Sequence, residues 1–351
     1  HVDDCLAVTD ASGKPVVREV FFGETVAQEK QLDSIALSLV LLFIVEYSMA
    51  RTLLDWGVRP RGMIGHSTGE LAAACVAGVF SLEDGIRLVL ARGALVETTR
   101  EGAVTSVKAS EDTIRPMLTD ELSLAAVNAP ENCTVSGASA AIAAFEQQCA
   151  EQGITFTHVD ADHAYHSQYM EPILDQYREI TASVTFRPPE LPYVSNVTGT
   201  WVTPQQATDP DYYCEHIRHT VRFKDGVETI MERGDVLFVE VGPGKSLSSC
   251  VRGTARGTRT SAVNMLRHRL EEVGDDEHLA TAVKKLWEAG VALDWAAFHR
   301  GRAPRKVRLP LYAFDRTEYP IDISEFQQLL SSAEERPRPV AERRPSQSPP
   351  A

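Results

Sequence analysis

Residues 61–80 read RGMIGHSTGELAAACVAGVF, with Ser67 between Gly65 and Gly69, His66 before it and an alanine-rich run behind it. A serine in an ordinary surface turn needs no such frame. Met63 and Ile64 supply a short apolar strand and TGELAAACVAGVF reads as a helix, so the stretch predicts a strand–turn–helix unit with Ser67 at the bend. The flanking glycines let backbone pass close to the serine, and the turn lifts Oγ above the sheet edge. The helix start aims N–H groups and the positive end of its dipole at the same point. The N–H of Thr68 is then placed to stabilise a developing oxyanion.

A serine hydroxyl becomes a nucleophile only beside a base. The candidates are His66, His158, His163, His166, His216, His219, His268, His278 and His299. His66 is adjacent in sequence, so its ring is expected to point away from Oγ. His268 and His278 sit in charged, exposed-looking sequence. The segment DADHAYHSQYMEP, 160–172, carries two histidines where a loop can hang over the sheet edge, and the residues alone leave His163 and His166 open.

The rest of the chain alternates strands and helices. One helix is expected over 36–56, ending at Gly57, and a second follows Ser81, an N-cap with Glu83 and Asp84 in the first turn. Between 102 and 165 the order is β-α-β-β-α-β, from AVTSVKA, SEDTIRPML, LSLAAVNAP, CTVSGA, ASAAIAAFEQQCAEQG and ITFTHVDA; this is the pattern of a small ferredoxin-like subdomain. Strand and helix patterns return in PYVSNVTG, in a helix from about 224 to 233 and in VLFVEVGPG. The Pro-, Arg- and Ser-rich end from 333 to 351 is expected to be disordered.

Among 351 residues, 43% are hydrophobic and 24% charged, the balance of a globular chain with more than one unit. A formal charge of −14 disfavours nucleic acid as a partner. No unbroken apolar run reaches the ~18 residues of a membrane span, and IALSLVLLFIVEY, 35–47, is expected to be a buried helix. Cysteines 5, 75, 133, 149, 214 and 250 form no CxxC pair, which argues against a zinc site and suits reduced thiols in a cytoplasmic protein.

In order and rough spacing, GHSTGELAAACVAGVFSLEDGIRLVLARG, HAYHSQYMEP, SNVTGTWV, TVRFKDGV and VEVGPGKSL resemble the acyltransferase domains of modular and iterative type I polyketide synthases, relatives of malonyl-CoA:acyl-carrier-protein transacylase. The resemblance runs from about 36 to 322. It implies an α/β-hydrolase-like parallel-sheet core, 1–101 and 166–282, with the ferredoxin-like insert at 102–165. RKVRLPLYAFDRTEYPI resembles the linker that follows such domains, here placed at 283–332. The family's opening strand with its GQGSQ loop is not found, and Leu39-Val40 stand where QP is usual.

The roles that follow are what the resemblance implies. Ser67 is the acylated nucleophile and His166 its base, steered by a backbone carbonyl near Arg222. Arg92 holds the free carboxylate of a malonyl-type group, a task that suits a guanidinium fork. Thr68, His66, His163, Tyr165 and Asn128 fall in the substrate-binding set, with Asn128 and Asn196 shaping loops. HAYH puts the bulky Tyr165 where it should crowd an α-methyl group, a discrimination worth ~1–3 kcal/mol. The implied partners are malonyl-CoA, an acyl carrier protein and a ketosynthase in the same polypeptide. Coenzyme A and phosphopantetheine act as carriers, with no other cofactor and no metal. A serine hydrolase on the same scaffold and a truncated docking domain are the rival expectations.

Overall fold

The computed structural model describes residues 1–23, 34–301, 303–314 and 322–334. Two compact units result, His1–Gly301 and Arg302–Ala351. In the second, 303–314 is neither helix nor strand, and Ser324–Glu334 is a helix. The last two residues of that helix are the first two of the tail expected to be disordered; 335–351 lie outside the described residues.

The first unit opens with helices α1 (Val2–Ala11), α2 (Val16–Phe21) and α3 (Ile35–Asp55). Ser34 caps α3 by accepting from the Leu37 N–H, and Gly57, at φ 87°, ends it in a conformation that costs only glycine little. With a mean hydropathy of 1.7 over its most apolar window, α3 is long and apolar enough to cross a membrane by length and composition. The burial expected of it is found on one face, where Leu37, Val40, Phe43, Ile44, Ser48 and Leu53 are inside; the rest is partly exposed.

The Ser67 unit forms as its sequence predicts. Strand β1 (Met63–Ile64) leads into helix α4 (Thr68–Val76), every residue of which except Gly69 is buried. Helix α5 (Leu82–Val96) is capped by the Ser81 hydroxyl accepting from the Asp84 N–H at 3.1 Å. Its inward face is Ile86, Val89, Arg92, Gly93 and Val96, the i, i+3, i+4 spacing of an amphipathic helix. A Cβ on Gly93 would meet the Ala36 Cα at 2.3 Å, so the backbones of α5 and α3 touch there.

The insert holds strands β2 (Ala103–Val107), β3 (Leu122–Ala129), β4 (Asn132–Gly137) and β5 (Phe156–Val159), with helices α6 (Glu111–Ile114) and α7 (Ser139–Glu151). The sheet order is β3-β4-β2-β5, all antiparallel. This is the ferredoxin-like order: the two βαβ halves interleave, and both helices cover one face. Val107, Ile114, Cys133, Val135, Ile142, Phe145 and Cys149 close its own small core. The chain enters and leaves side by side, with the Gly102 N–H donating to the Asp162 carbonyl at 2.8 Å and Glu101 bridging to His163.

After the insert come α8 (Leu174–Ala182), β6 (Tyr193–Val194), α9 (Pro210–Arg218), α10 (Phe223–Met231), β7 (Leu237–Glu240), α11 (Ser246–Thr254), β8 (Ser261–Asn264) and α12 (Asp275–Glu288). Among the described residues the parallel core consists of two pairs, β1 with β6 and β7 with β8. The domain boundary drawn at 282/283 falls inside α12, whose Ala282, Val283 and Leu286 are buried in one cluster with Val263 of β8.

Candidate active site

Two non-glycine residues have positive φ among those described: Ser67 at 52° and His166 at 54°. Such conformations cost of order 1–3 kcal/mol each and persist only where the surroundings enforce them. At Ser67 the enforcement is visible. A Cβ on Gly65 would lie 2.0 Å from the Gly69 carbonyl carbon, so the turn closes only on a glycine there, whereas Gly69 itself has ordinary room. The Ser67 N–H donates to Asn196 Oδ1 at 2.7 Å, and Asn196 Nδ2 donates to the Gly65 carbonyl at 2.8 Å. Asn196 is in turn held by Glu70, whose Oε2 accepts from the Asn196 N–H at 2.6 Å while Tyr212 donates its hydroxyl proton to Oε1. Asn196, expected only to shape a loop, therefore braces the serine turn from both sides.

Ser67 Oγ lies 2.7 Å from His166 Nε2. The opposite ring nitrogen, Nδ1, lies 2.9 Å from the His219 carbonyl. A carbonyl only accepts, so Nδ1 carries the proton and Nε2 presents its lone pair to the serine hydroxyl. The carbonyl placed near Arg222 is thus corrected to that of His219. The chain leaves α9 at His219 in an extended conformation, φ −92° and ψ 163°, as it runs beside β3. Arg222 instead precedes α10, where its guanidinium pairs with Glu111 at 2.6 Å and its N–H donates to the Asn196 carbonyl. Burial, and then the Arg92 charge, push the His166 pKa down to about 3, so the ring is neutral in the free protein.

Arg92 reaches the same point from α5. Its Nη2 donates to Ser67 Oγ at 2.8 Å and its Nη1 lies 3.2 Å from His216 Nδ1. Burial lowers its pKa, opposed by Tyr177, Glu70 and Tyr165. It remains the cation of the site, since a guanidinium does not lose its proton in proteins. Tyr165 is close enough to feel that charge and packs against the main core.

The remaining candidates divide. The Thr68 N–H heads α4 and takes no part in the turn's backbone hydrogen bonds. His66 turns from Oγ as expected: its Nε2 lies 2.8 Å from Asn128 Oδ1, and its ring rests near that of Phe223. Burial lowers its pKa, so it too is neutral, and Nε2 donates to Asn128. His163, the alternative base, is spent elsewhere, with Nδ1 3.0 Å from Thr99 Oγ1 just past the far end of α5. The Thr99 hydroxyl already donates to the Val96 carbonyl, so His163 donates to it.

A second buried carboxyl stands behind the turn. Glu46 of α3 lies 3.5 Å from where a Gly69 Cβ would be and 3.2 Å from that of Gly242. Its Oε2 has no hydrogen-bond partner among the described residues, and burial, then the Glu240 charge, raise its pKa to about 8. Nothing local marks this group, nor Glu70, His216 or the His219 carbonyl, because their partners are far away along the chain.

A family model for the acyl transferase domain matches residues 15–291. The phenolphthiocerol synthesis polyketide synthase type I Pks15/1 of Mycobacterium marinum is 38% identical over 305 residues, covering 86% of this chain and 14% of that protein. The spectinabilin polyketide synthase system protein NorB of Streptomyces orinoci is 36% identical over 297 residues, 82% of this chain and 14% of its own length. The chain spans about a fifth or less of the length of the curated relatives it matches. Among solved structures, the acyl transferase domain of SpnD, in complex with 2-(pent-4-yn-1-yl)malonyl, superposes with a TM-score of 0.78 at 39% identity, over 84% of this chain and 70% of that one. The acyltransferase domain from the second module of the salinomycin polyketide synthase gives 0.78 at 37%, over 86% and 69%. The family match takes in the serine turn, the insert and the segment that carries His166 and its carbonyl, and the chain is an acyltransferase belonging to the acyl transferase domain family.

Proposed function

We propose that the protein moves a malonyl-type acyl group from a coenzyme A thioester to the phosphopantetheine thiol of an acyl carrier protein, through an ester on Ser67. The observation that carries this is the meeting of two groups at one oxygen: Ser67 Oγ is 2.7 Å from His166 Nε2 and 2.8 Å from Arg92 Nη2. A plain esterase has no use for a buried guanidinium beside its nucleophile, whereas a carboxylated acyl group does.

In the first half-reaction His166 Nε2 takes the hydroxyl proton as Oγ attacks the thioester carbonyl. The Thr68 N–H, the first of α4, faces the developing oxyanion. The C–S bond breaks and the imidazolium returns its proton to the coenzyme A thiolate. The imidazolium is held by the His219 carbonyl, which needs no aspartate to orient the ring. In the second half His166 takes the pantetheine thiol proton, the thiolate attacks the ester, and the Ser67 oxygen recovers the proton. Arg92 holds the free carboxylate throughout, and Tyr165 beside it limits what the α-carbon can carry.

The test is the intact mass of the protein after exposure to malonyl-, methylmalonyl- and acetyl-CoA in competition, before and after adding carrier protein. A malonyl adduct on Ser67 that transfers to the carrier is expected. An adduct released to water at the same rate with and without carrier would favour a hydrolase. Arg92→Ala should lower malonyl loading by one to two orders of magnitude more than acetyl loading, as expected for loss of a charge-assisted bidentate contact of about 1.5–3 kcal/mol. Equal losses would remove the carboxylate role.

A further inference from the structure

The Arg92 guanidinium has a buried neighbour that the transfer steps do not use. His216, on α9, is 3% exposed and places Nδ1 3.2 Å from Arg92 Nη1. A guanidinium only donates, so His216 Nδ1 must accept, and the ring's proton sits on Nε2. That nitrogen lies 3.5 Å from Glu70 Oε2 without making a hydrogen bond, and has no hydrogen-bond partner among the described residues. Glu70 thus stands behind both groups: it is hydrogen-bonded to Asn196, which holds the Ser67 N–H, and it lies 3.5 Å from His216, which holds Arg92. Because a protonated imidazole offers no acceptor, only the neutral ring can hold Arg92 in this way. Burial and the Arg92 charge keep His216 neutral.

From this arrangement we infer that His216 is a positioning residue for acyl-group selection, fixing the plane of the Arg92 fork so that it meets the carboxylate of a dicarboxylate-derived acyl thioester. The inference rests on the malonyl-type reading above. Arg92 is a long side chain entering the cleft from α5, and Ser67 Oγ alone would leave it free to rotate about that single contact. The Nδ1 acceptor is a second anchor on the other amino group, and two anchors define a plane. A carboxylate is recognised bidentately only by a fork held in one plane, because both N–H bonds must point at it together. Acetyl groups, which have no carboxylate, gain nothing from that order.

The experiment compares the ratio of malonyl to acetyl loading, measured by intact mass under competition, in wild type, His216→Leu and His216→Asn. Asn places an amide oxygen near the position of Nδ1, and Leu fills the space without an acceptor. A fall of tenfold or more in the ratio for H216L, with recovery to within about threefold of wild type for H216N, is the expected result. If H216L does not fold by circular dichroism, H216Q, whose amide reaches toward the Nε2 position instead, takes its place and should show the same fall. An unchanged ratio in H216L, or a ratio as low in H216N as in H216L, would overturn the inference while leaving the transfer reaction standing. A wild-type protein that forms no malonyl ester would remove the reading beneath it.

Discussion

At the scale of single residues, the base proposed for Ser67 and its tautomer lead to an expected pH profile. With the His166 pKa pushed down to about 3, the lone pair on Nε2 stays available far below the usual titration of an imidazole. The sign is that of a lowered histidine: folding disfavours the proton, so the catalytic form is kept as the pH falls through 6.5 and is lost only near 3. Single-turnover acylation of Ser67 should therefore be flat between about pH 8 and pH 5, with a fall of less than twofold. Rapid-quench mass measurements showing a tenfold loss centred near pH 6.5 would contradict a buried, guanidinium-flanked base. Ser67 was legible in the sequence because glycine spacing and the alanine-rich helix are local signals. The residues taken alone left His163 and His166 open, and it was the family resemblance that pointed to His166. Both lie in one short turn, and what separates them is a positive φ at 166 and a carbonyl at 219, neither of which leaves a local trace.

At the scale of elements, α4, α5 and the insert's strands formed where periodicity and capping residues placed them, and Ser81 caps α5 through its hydroxyl. Helix α3 was also legible, but its one interior acid, Glu46, carries no mark that sets it apart in an apolar run. Its burial has a measurable cost. A carboxyl whose folded pKa is raised to about 8 is favoured when protonated, so its contribution to stability is intact below about pH 4.5 and is lost as pH rises toward 8. Glu46→Gln keeps the shape and removes the ionisation. It should raise Tm by several degrees at pH 8.5, at about 1.5 °C per kcal/mol for a unit of this size, and by much less at pH 5. Melting curves in which the variant gains equally at both pH values would show that charge is not what the site resists.

At the scale of the whole catalytic unit, the insert is stitched to the machinery it interrupts. The Val127 N–H donates to the Val221 carbonyl and the Val221 N–H to the Ala125 carbonyl, both at 2.9 Å, and Thr220 Oγ1 donates to the Leu124 carbonyl. Glu111 of the insert pairs with Arg222. The strip 219–223 thus belongs at once to the insert's edge and to the carbonyl that holds His166. Native-state hydrogen exchange should find the Val127 and Val221 amides opening together, with protection factors within about tenfold of each other. Fast exchange at Val221 alone would mean the strip is not shared. None of this seam was legible beforehand: a ferredoxin-like pattern announces its own strands, but the neighbour that extends its edge comes from a segment far downstream.

The paired entry and exit of the insert, where Gly102 meets Asp162, bears on how such chains could diversify. Ends that lie together allow a cassette to be exchanged between relatives without respanning a gap. The second seam sets the condition for success. A foreign cassette whose edge fails to match Val221 would drag the His219 oxygen away from the imidazole, so recombination at these borders should succeed only when the downstream strip travels with the piece it lines.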